Sequence, residues 1–173
     1  MKSETLIIID MLNDFINPQG ALYCGESAQA IVPFVQDRLA VFRRSGEPVI
    51  YLQDAHIADD KEFEKFPPHC VAGTWGSRII EALAPLSEEA VIPKTRYSGF
   101  YATSLDRILA DIQPSGVEVT GVCTSICVMD TVGGLVNRDY AVRVPQKGVA
   151  DFDSQAHAFA LQRMAKIYGV EIV

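Results

Sequence analysis

Short apolar runs alternate with longer amphipathic segments along the whole chain. An uninterrupted apolar run is typical of a strand buried on both faces of a parallel sheet. Residues 5–9 form such a run and predict the first strand, and five further short, mainly apolar segments predict strands at residues 48–53, 90–92, 117–122, 141–144 and 170–173. Because helices are expected between them, the pattern predicts a mainly parallel, doubly wound α/β sheet of Rossmann-like type, flanked by helices, in a single domain over residues 1–173.

Apolar residues at helical spacing mark the segments between these strands. The first predicted helix covers residues 27–44, with Ser27 as its N-cap and Gly46 just beyond its end. Three further helices are predicted, one starting at Ser104, one over about residues 126–137, and one over residues 154–168 that carries Phe159, Leu161 and Met164. The long segment between Asp54 and Gly76 is predicted as a loop, and loops of this length are usually functional or disordered.

Composition narrows the classes of partner. Of the 173 residues, 49% are hydrophobic and 21% are charged, which is ordinary for a globular protein. The formal net charge of −7 argues against nucleic acid as a partner. No apolar run approaches the ~20 residues of a membrane span, and no export signal is evident. We therefore expect a cytoplasmic protein whose four cysteines are reduced.

Residues with catalytic capacity fall at the carboxyl ends of the predicted strands. Asp10 ends the first, Asp54 and His56 follow the second, Lys94 follows the third, and Cys127 lies shortly after the fourth. Ligands of open doubly wound sheets bind outside the carboxyl ends of the strands. The sequence therefore predicts one functional site at this edge of the sheet.

Cys127 has two interpretations. It could be a buried structural thiol, since cysteine is among the most buried residue types. Its position in the first turn of a helix instead favours a nucleophile, because the helix N-terminus stabilises a thiolate and its amides can hold an oxyanion. Asp10 could simply cap a turn, and Lys94 could be a surface residue. Together with Cys127, however, they supply a nucleophile, a base and an electrostatic partner.

A second group of residues indicates a metal site. Asp54 and His56 project to the same side of an extended segment, and His69 follows them in the long loop. A carboxylate and two imidazoles suit Zn²⁺ or another divalent transition metal. Glu62 and Glu64 lie between the histidines and could complete the coordination sphere. The competing interpretation is that both histidines are ordinary surface residues.

Three ordered motifs resemble a known family. They are LIIIDMLNDF at residues 6–15, KTRYSGF at residues 94–100 and TGVCTSICV at residues 120–128. With them the chain resembles the isochorismatase-like cysteine hydrolases over almost its whole length. The resemblance implies the isochorismatase-like fold and places the family's catalytic triad on Asp10, Lys94 and Cys127.

Within that family the chain resembles the nicotinamidases. The similarity lies in Asp54-Ala-His56 and in FPPHCVAGT at residues 66–74, which look like the nicotinamidase metal loop. The resemblance implies that Asp54, His56 and His69 hold a divalent ion, with Glu62 as an additional ligand. Zinc is the expected ion, and iron or manganese would tolerate similar ligands.

The activity implied by the resemblance is hydrolysis of nicotinamide to nicotinate and ammonia through a thioester on Cys127. Asp10 would accept the thiol proton, and the metal ion would bind the pyridine nitrogen. Phe15, Phe66 and Trp75 are candidates for lining the faces of the substrate ring.

Members of the family have a cis peptide before the nucleophile loop, which by analogy would join Val122 to Cys123. The N–H groups of Cys123 and Cys127 would then form the oxyanion hole. Cys123 is a departure, since relatives often have a small residue such as alanine there. A thiol redox protein using Cys123 and Cys127 is accordingly one competing hypothesis for the function.

The sequence is compatible with two more functions. One is that of a hydrolase of the same family acting on another small amide or on a ureido compound. The second is that of a binding protein that retains the fold without catalysis, which the intact triad argues against. In each case the expected partner is a small molecule, and because relatives often pair, we also expect a homo-oligomer, most simply a dimer.

Overall fold

The fold is described from a computed structural model, which covers residues 3–173. Its centre is a parallel sheet, and all pairings among the described strands are parallel. The strands are β1 Glu4–Ile9, β2 Val49–Asp54, β3 Ala90–Lys94, β4 Gly116–Val122, β5 Val142–Val144, β6 Val149–Ala150 and β7 Glu171–Ile172. The predicted doubly wound α/β class and the six predicted strands are confirmed, and the two-residue β6 is an additional strand.

The strand order is β3-β2-β1-β4-β5-β7. Strand β4 pairs with β5 through Val117 and Glu118, and with β6 through Gly121 and Val122. Strand order therefore reverses between β1 and β4, where a doubly wound sheet opens a crevice at its carboxyl edge.

The α-helices are α1 Asn13–Ile16, α2 Glu26–Ala30, α3 Val32–Ser45, α4 Leu105–Ile112, α5 Met129–Val136 and α6 Ser154–Lys166. Short 3₁₀ helices cover Lys61–Glu64, Glu81–Leu83 and Gln146–Gly148, and a π-helical turn covers Thr124–Val128. Over residues 3–173, no helix combines the length and the apolar composition that crossing a membrane would require.

Two hydrophobic layers lie on the two faces of the sheet. Successive side chains of a strand point to opposite faces. In β1, Leu6 and Ile8 contact the layer that contains α2 and α3. Ile7 and Ile9 contact the layer that contains α4, α5 and α6. Helices thus cover both faces, which explains why β1 is apolar without alternation.

The helix predicted over residues 27–44 is in fact two helices, α2 and α3. Pro33 lies in the first turn of α3, and a proline there has no N–H to continue a helix that precedes it. Ser27 is not an N-cap, because it lies inside α2 and its hydroxyl donates to the carbonyl of Asp151 at 2.9 Å. The predicted C-terminal glycine is confirmed, since Gly46 adopts a left-handed conformation with φ of 66°.

Helix α6 has a narrower apolar face than predicted. Leu161 and Met164 are buried, whereas Phe159 is 58% exposed. Residues three apart share a helix face, but residues two apart do not, so Phe159 points away from the sheet. The side chain of Asp153 caps the helix by accepting hydrogen bonds from the backbone N–H groups of Gln155 and Ala156.

Strand β3 forms one edge of the sheet and contains an exposed proline, Pro93. Edge strands are the usual place for proline within a sheet, because no neighbouring strand needs the N–H group that proline lacks. The register aligns Asp54 of β2 with Lys94 of β3. This register places two of the predicted site residues side by side at the carboxyl edge.

Candidate active site

The predicted catalytic residues converge at the carboxyl ends of neighbouring strands. Asp10 follows β1 with a positive φ of 52°, Lys94 ends β3, and Cys127 lies in the π-helical turn after β4. All three side chains are at least 90% buried. The spatial convergence that the sequence predicted is therefore present.

Lys94 is the common contact of the group. Its Nζ lies 2.8 Å from Asp10 Oδ2 and 3.4 Å from Cys127 Sγ, and it donates a hydrogen bond to Asp54 Oδ1. It also lies 3.3 Å from the carbonyl oxygen of Arg96. The second oxygen of Asp10, Oδ1, accepts the backbone N–H of Asp54 at 3.0 Å. One ammonium group thus joins the acid, the thiol and a candidate metal ligand.

Glycine at position 121 permits this convergence. Gly121 has φ of 118°, and a Cβ atom there would lie 2.0 Å from the carbonyl oxygen of Ile9. Only glycine combines that conformation with such a close approach of two backbones. The peptide bond between Val122 and Cys123 is cis, as the resemblance implied.

The environment of the site changes the pKa of its acidic groups. Burial and the neighbouring Asp54 carboxylate raise the pKa of Asp10 to about 7, although the Lys94 ammonium lowers it. Burial also raises the pKa of the Cys127 thiol well above its ordinary value, against the lowering effect of Lys94. Burial and the carboxylates of Asp10 and Asp54 therefore oppose the thiolate that the helix N-terminus was expected to stabilise. The thiol needs a base, and Asp10 is adjacent to it.

The predicted metal ligands also converge. One ligand atom from each of Asp54, His56 and His69 lies within 4.8 Å of the others. Backbone pairing explains how the loop returns: the His56 N–H donates to the Cys70 carbonyl at 3.0 Å, and the Ala72 N–H donates to the His56 carbonyl at 2.9 Å. All three side chains are buried, so the histidines are not surface residues.

Both imidazoles are oriented by their Nδ1 atoms. His56 Nδ1 lies 3.2 Å from Asp60 Oδ2, and His69 Nδ1 lies 2.9 Å from the carbonyl oxygen of Pro67. Each partner only accepts, so each Nδ1 donates its hydrogen and each Nε2 keeps its lone pair. Within residues 3–173, His56 Nε2 has no hydrogen-bond partner although it is buried, and it lies 3.6 Å from Asp54 Oδ2. A buried unpaired acceptor beside a carboxylate fits a divalent cation.

Glu62 is the carboxylate that accompanies these ligands. It lines the cavity, its Oε1 lies 4.0 Å from His69 Nε2, and burial raises its pKa. Glu64 is exposed. Of the two glutamates in this loop, the structure thus places Glu62 beside the predicted metal ligands.

A cavity opens beside the triad, and Asp10, Cys127, Glu62 and His69 are among the residues that line it. Phe15 and Phe66 line it, as proposed from the sequence. Trp75 does not: it is 45% exposed and lies in a separate surface groove. The backbone carbonyl of Trp75 accepts a hydrogen bond from the side-chain amide of Asn13 at 2.9 Å, and Asn13 lines the same groove.

Several cavity residues were not anticipated. They are Leu22, Cys24, Tyr97, Ile126 and Phe152. Tyr97 lies inside the KTRYSGF motif, which could have indicated it, whereas the segment around Cys24 carries no comparable pattern. The sulfur of Cys24 lies 3.4 Å from that of Cys123. The thiol beside Cys123 is therefore Cys24, while the sulfur of Cys127 contacts Lys94.

Comparison with known proteins identifies the family. The model of the isochorismatase domain matches residues 4–172. The chain belongs to the isochorismatase family. The similarity to this family therefore includes every strand and helix described above.

Solved structures of this isochorismatase family lie close to the chain. The crystal structure of a nicotinamidase/pyrazinamidase from Bacillus subtilis is 32% identical, covers 99% of both chains and has a TM-score of 0.94. The pyrazinamidase of Pyrococcus horikoshii in complex with zinc is 29% identical, covers 99% of this chain and 98% of its own, and has a TM-score of 0.92. An N-carbamoylsarcosine amidase from Thermoplasma acidophilum is 32% identical, covers 98% of this chain and 95% of its own, and has a TM-score of 0.89.

Proposed function

We propose that this hydrolase cleaves the carboxamide of nicotinamide, giving nicotinate and ammonia through a thioester on Cys127. The observation that carries the proposal is the contact of Lys94 Nζ with Asp10, Asp54 and the Cys127 sulfur, beside a cavity that the metal loop adjoins. The nicotinamidase/pyrazinamidase of B. subtilis, with a TM-score of 0.94, supports this choice among amides.

Asp10 is the proton carrier of the proposed reaction. Its carboxylate and the Cys127 sulfur lie within 4.8 Å of each other, so the thiol proton can pass to Asp10 as sulfur attacks the amide carbon. Asp10 then gives that proton to the departing ammonia. In the second half, Asp10 takes a proton from water, the hydroxyl group adds to the thioester, and Cys127 recovers its proton.

The oxyanion of each tetrahedral intermediate needs positive partners. The backbone N–H groups of Cys123 and Cys127 are proposed for that role, since both residues line the cavity. The Lys94 ammonium keeps its charge, because the attraction of Asp10 and Asp54 outweighs the effect of burial and raises its pKa. It therefore adds a fixed positive charge next to the reacting sulfur.

Asp54, His56 and His69, with Glu62 beside them, would hold a divalent ion, most simply Zn²⁺, with iron or manganese as substitutes. When bound, the ion supplies an open coordination position for a pyridine-type ring nitrogen. Phe15 and Phe66 contact His69 through their rings, with centroids 5.5 and 6.3 Å away. These aromatic side chains would hold the faces of a planar substrate ring and exclude water. The zinc complex of the P. horikoshii pyrazinamidase supports the choice of ion.

The decisive experiment measures ammonia release from nicotinamide and from benzamide, which has the same carboxamide but no ring nitrogen. We expect nicotinamide to have a kcat/KM at least about 100-fold higher, because a site built around a polar contact rejects an analogue that lacks it. Equal rates for the two amides would remove the ring nitrogen from the mechanism.

Covalent catalysis is tested by Cys127→Ala. We expect kcat to fall by about 10⁴-fold or more while nicotinamide still binds, since loss of a nucleophile removes the covalent route. Cys70→Ala is the matched control, because this buried thiol does not line the cavity. Appreciable turnover by Cys127→Ala would refute the thioester.

A ureido compound is the second candidate substrate, favoured by the similarity to the N-carbamoylsarcosine amidase. N-carbamoylsarcosine added to the same ammonia assay decides between them. A higher kcat/KM for this compound than for nicotinamide would replace the proposed substrate. Absence of ammonia from every amide would favour a binding protein instead.

A further inference from the structure

Asp60 is a buried carboxylate within the loop that carries the candidate metal ligands His56 and His69, and it does not line the cavity. Its Oδ2 lies 3.2 Å from His56 Nδ1, and its Oδ1 accepts the backbone N–H of Glu62 at 2.9 Å. We propose that Asp60 is a positioning residue that sets the metal-binding tautomer of His56 and places Glu62 in the cavity. The inference deepens the proposed function and rests on its metal site.

The first step of the argument concerns the tautomer of His56. A neutral imidazole carries one hydrogen, on either Nδ1 or Nε2, and only the bare nitrogen can bind a cation. Because a carboxylate only accepts, Asp60 requires the hydrogen on Nδ1 and leaves the lone pair on Nε2, which lies 3.6 Å from Asp54 Oδ2. Metal-binding histidines commonly hold their other nitrogen against a carboxylate in this way.

The second step concerns Glu62. Asp60 is the N-cap of the 3₁₀ helix Lys61–Glu64, and its bond to the Glu62 amide fixes the first residues of that turn. The turn in turn brings Glu62 Oε1 within 4.0 Å of His69 Nε2. A single side chain thus positions two candidate ligands that lie on different parts of the loop.

The third step concerns what holds Asp60 itself. The guanidinium of Arg96 contacts both of its carboxylate oxygens, at 3.0 and 3.1 Å. The carbonyl of the same arginine lies 3.3 Å from Lys94 Nζ. A continuous set of contacts therefore runs from the metal loop through Asp60 and Arg96 to the lysine of the triad.

A purely structural cap is the competing interpretation, and metal affinity separates the two. If Asp60 is only a structural cap, replacing it lowers the stability of the metal-free protein and changes nothing else. If Asp60 is a positioning residue, the replacement also weakens metal binding, and it raises the KM for nicotinamide more than it lowers kcat. The variants are Asp60→Ala and the conservative Asp60→Asn, which keeps one accepting oxygen. The matched control is Asp59→Ala, which removes the exposed carboxylate immediately before Asp60.

The experiment titrates chelator-stripped protein with Zn²⁺ in competition with a chromophoric chelator, and urea unfolding of the same metal-free samples reports stability. We expect Asp60→Ala to raise the Kd for Zn²⁺ by about 10–100-fold, the usual effect of losing such a partner. Asp60→Asn should recover part of that loss, and Asp59→Ala should bind like the wild type.

The outcomes are distinguishable. A wild-type Kd for Asp60→Ala would overturn the positioning role while leaving the metal site intact. Failure of the wild type itself to bind Zn²⁺ or another divalent ion would instead overturn the metal part of the proposed function. If Asp60→Ala does not fold, Asp60→Asn and Arg96→Met carry the test, and wild-type affinity in both would overturn the proposal.

Discussion

At the scale of single residues, Lys94 determines the charge balance of the site. Its ammonium group is buried between the carboxylates of Asp10 and Asp54 and next to the thiol of Cys127. Removing one member of a buried ionic group leaves the others uncompensated, which costs far more than the group contributes as a whole. We therefore expect Lys94 to contribute to folding as well as to the proposed catalysis.

Replacing this lysine tests that statement. Lys94→Met should lower the free energy of unfolding by about 3–5 kcal/mol, because two buried carboxylates lose their shared cation. Urea unfolding at neutral pH measures the change, and Lys147→Met at an exposed position is the control. An unchanged unfolding midpoint for Lys94→Met would contradict the role of the ammonium group in stability.

The sequence predicted where the triad lies but not the chemistry of its thiol. Placement followed from the positions of Asp10, Lys94 and Cys127 at or just after the carboxyl ends of predicted parallel strands, and the family resemblance selected the same three residues. The pKa of Cys127 depends on burial and on carboxylates from two other strands, which no local pattern shows. The contact of Cys24 with Cys123 joins residues 99 positions apart, and it was equally hidden.

At the scale of elements, the last turn of α3 contacts the segment that precedes β3. Arg43, in the last turn of α3, binds both carboxylate oxygens of Glu89, at 2.7 and 2.8 Å. The same guanidinium donates to the carbonyl of Ala84 at 2.9 Å. This contact orders the segment that leads into β3, and β3 carries Lys94.

This ion pair has a predictable pH dependence. Burial raises the pKa of Glu89, but the hydrogen bonds from Arg43 outweigh it and leave the pKa below its ordinary value of 4.5. A lowered carboxyl pKa stabilises the fold above the unfolded value, and the contribution is lost as the pH falls through the folded value.

Glu89→Gln should therefore cost about 0.5–1 kcal/mol at pH 7, reduced by solvent screening, and progressively less below pH 4.5. Urea unfolding of both proteins between pH 7 and pH 3 checks the trend. Glu88→Gln, one position earlier, serves as the control for a general charge effect. A difference that grows on acidification would reverse the expected sign.

Element boundaries show what hydrophobic patterns miss. The period of apolar residues continued through residues 27–44, yet Pro33 divided that segment, because periodicity does not register a missing N–H. Strand β6 has two residues, too few to form a pattern. The π-helical turn at Thr124–Val128 overlaps the start of the helix predicted over about residues 126–137, so the sequence did not separate the turn from α5.

At the scale of the whole molecule, the loop over residues 55–76, which carries the candidate metal ligands His56 and His69, contains little regular secondary structure. Residues 55–76 contain one short 3₁₀ helix and a single backbone bridge, between His56 and Val71. A ligand that binds the folded state alone stabilises it by mass action. An ion held by Asp54, His56 and His69 would join this loop to β2 and stabilise the chain as a whole.

Thermal unfolding measures that coupling. Zn²⁺ at about 100 times its Kd should add about 2.7 kcal/mol, which corresponds to a Tm increase of about 5–10 °C for a chain of this size. His56→Ala should show no such increase, since it lacks a ligand. An equal rise in Tm for both proteins would indicate that Zn²⁺ binds elsewhere.

The edge position of Pro93 has a consequence for association between chains. An open strand edge offers its N–H and C=O groups to any other extended segment, which makes it a route to aggregation. At Pro93 the edge strand β3 has no N–H to offer, so a further strand cannot pair continuously along it. The expected homo-oligomer would then not form by extension of the sheet at β3, the strand that carries Lys94.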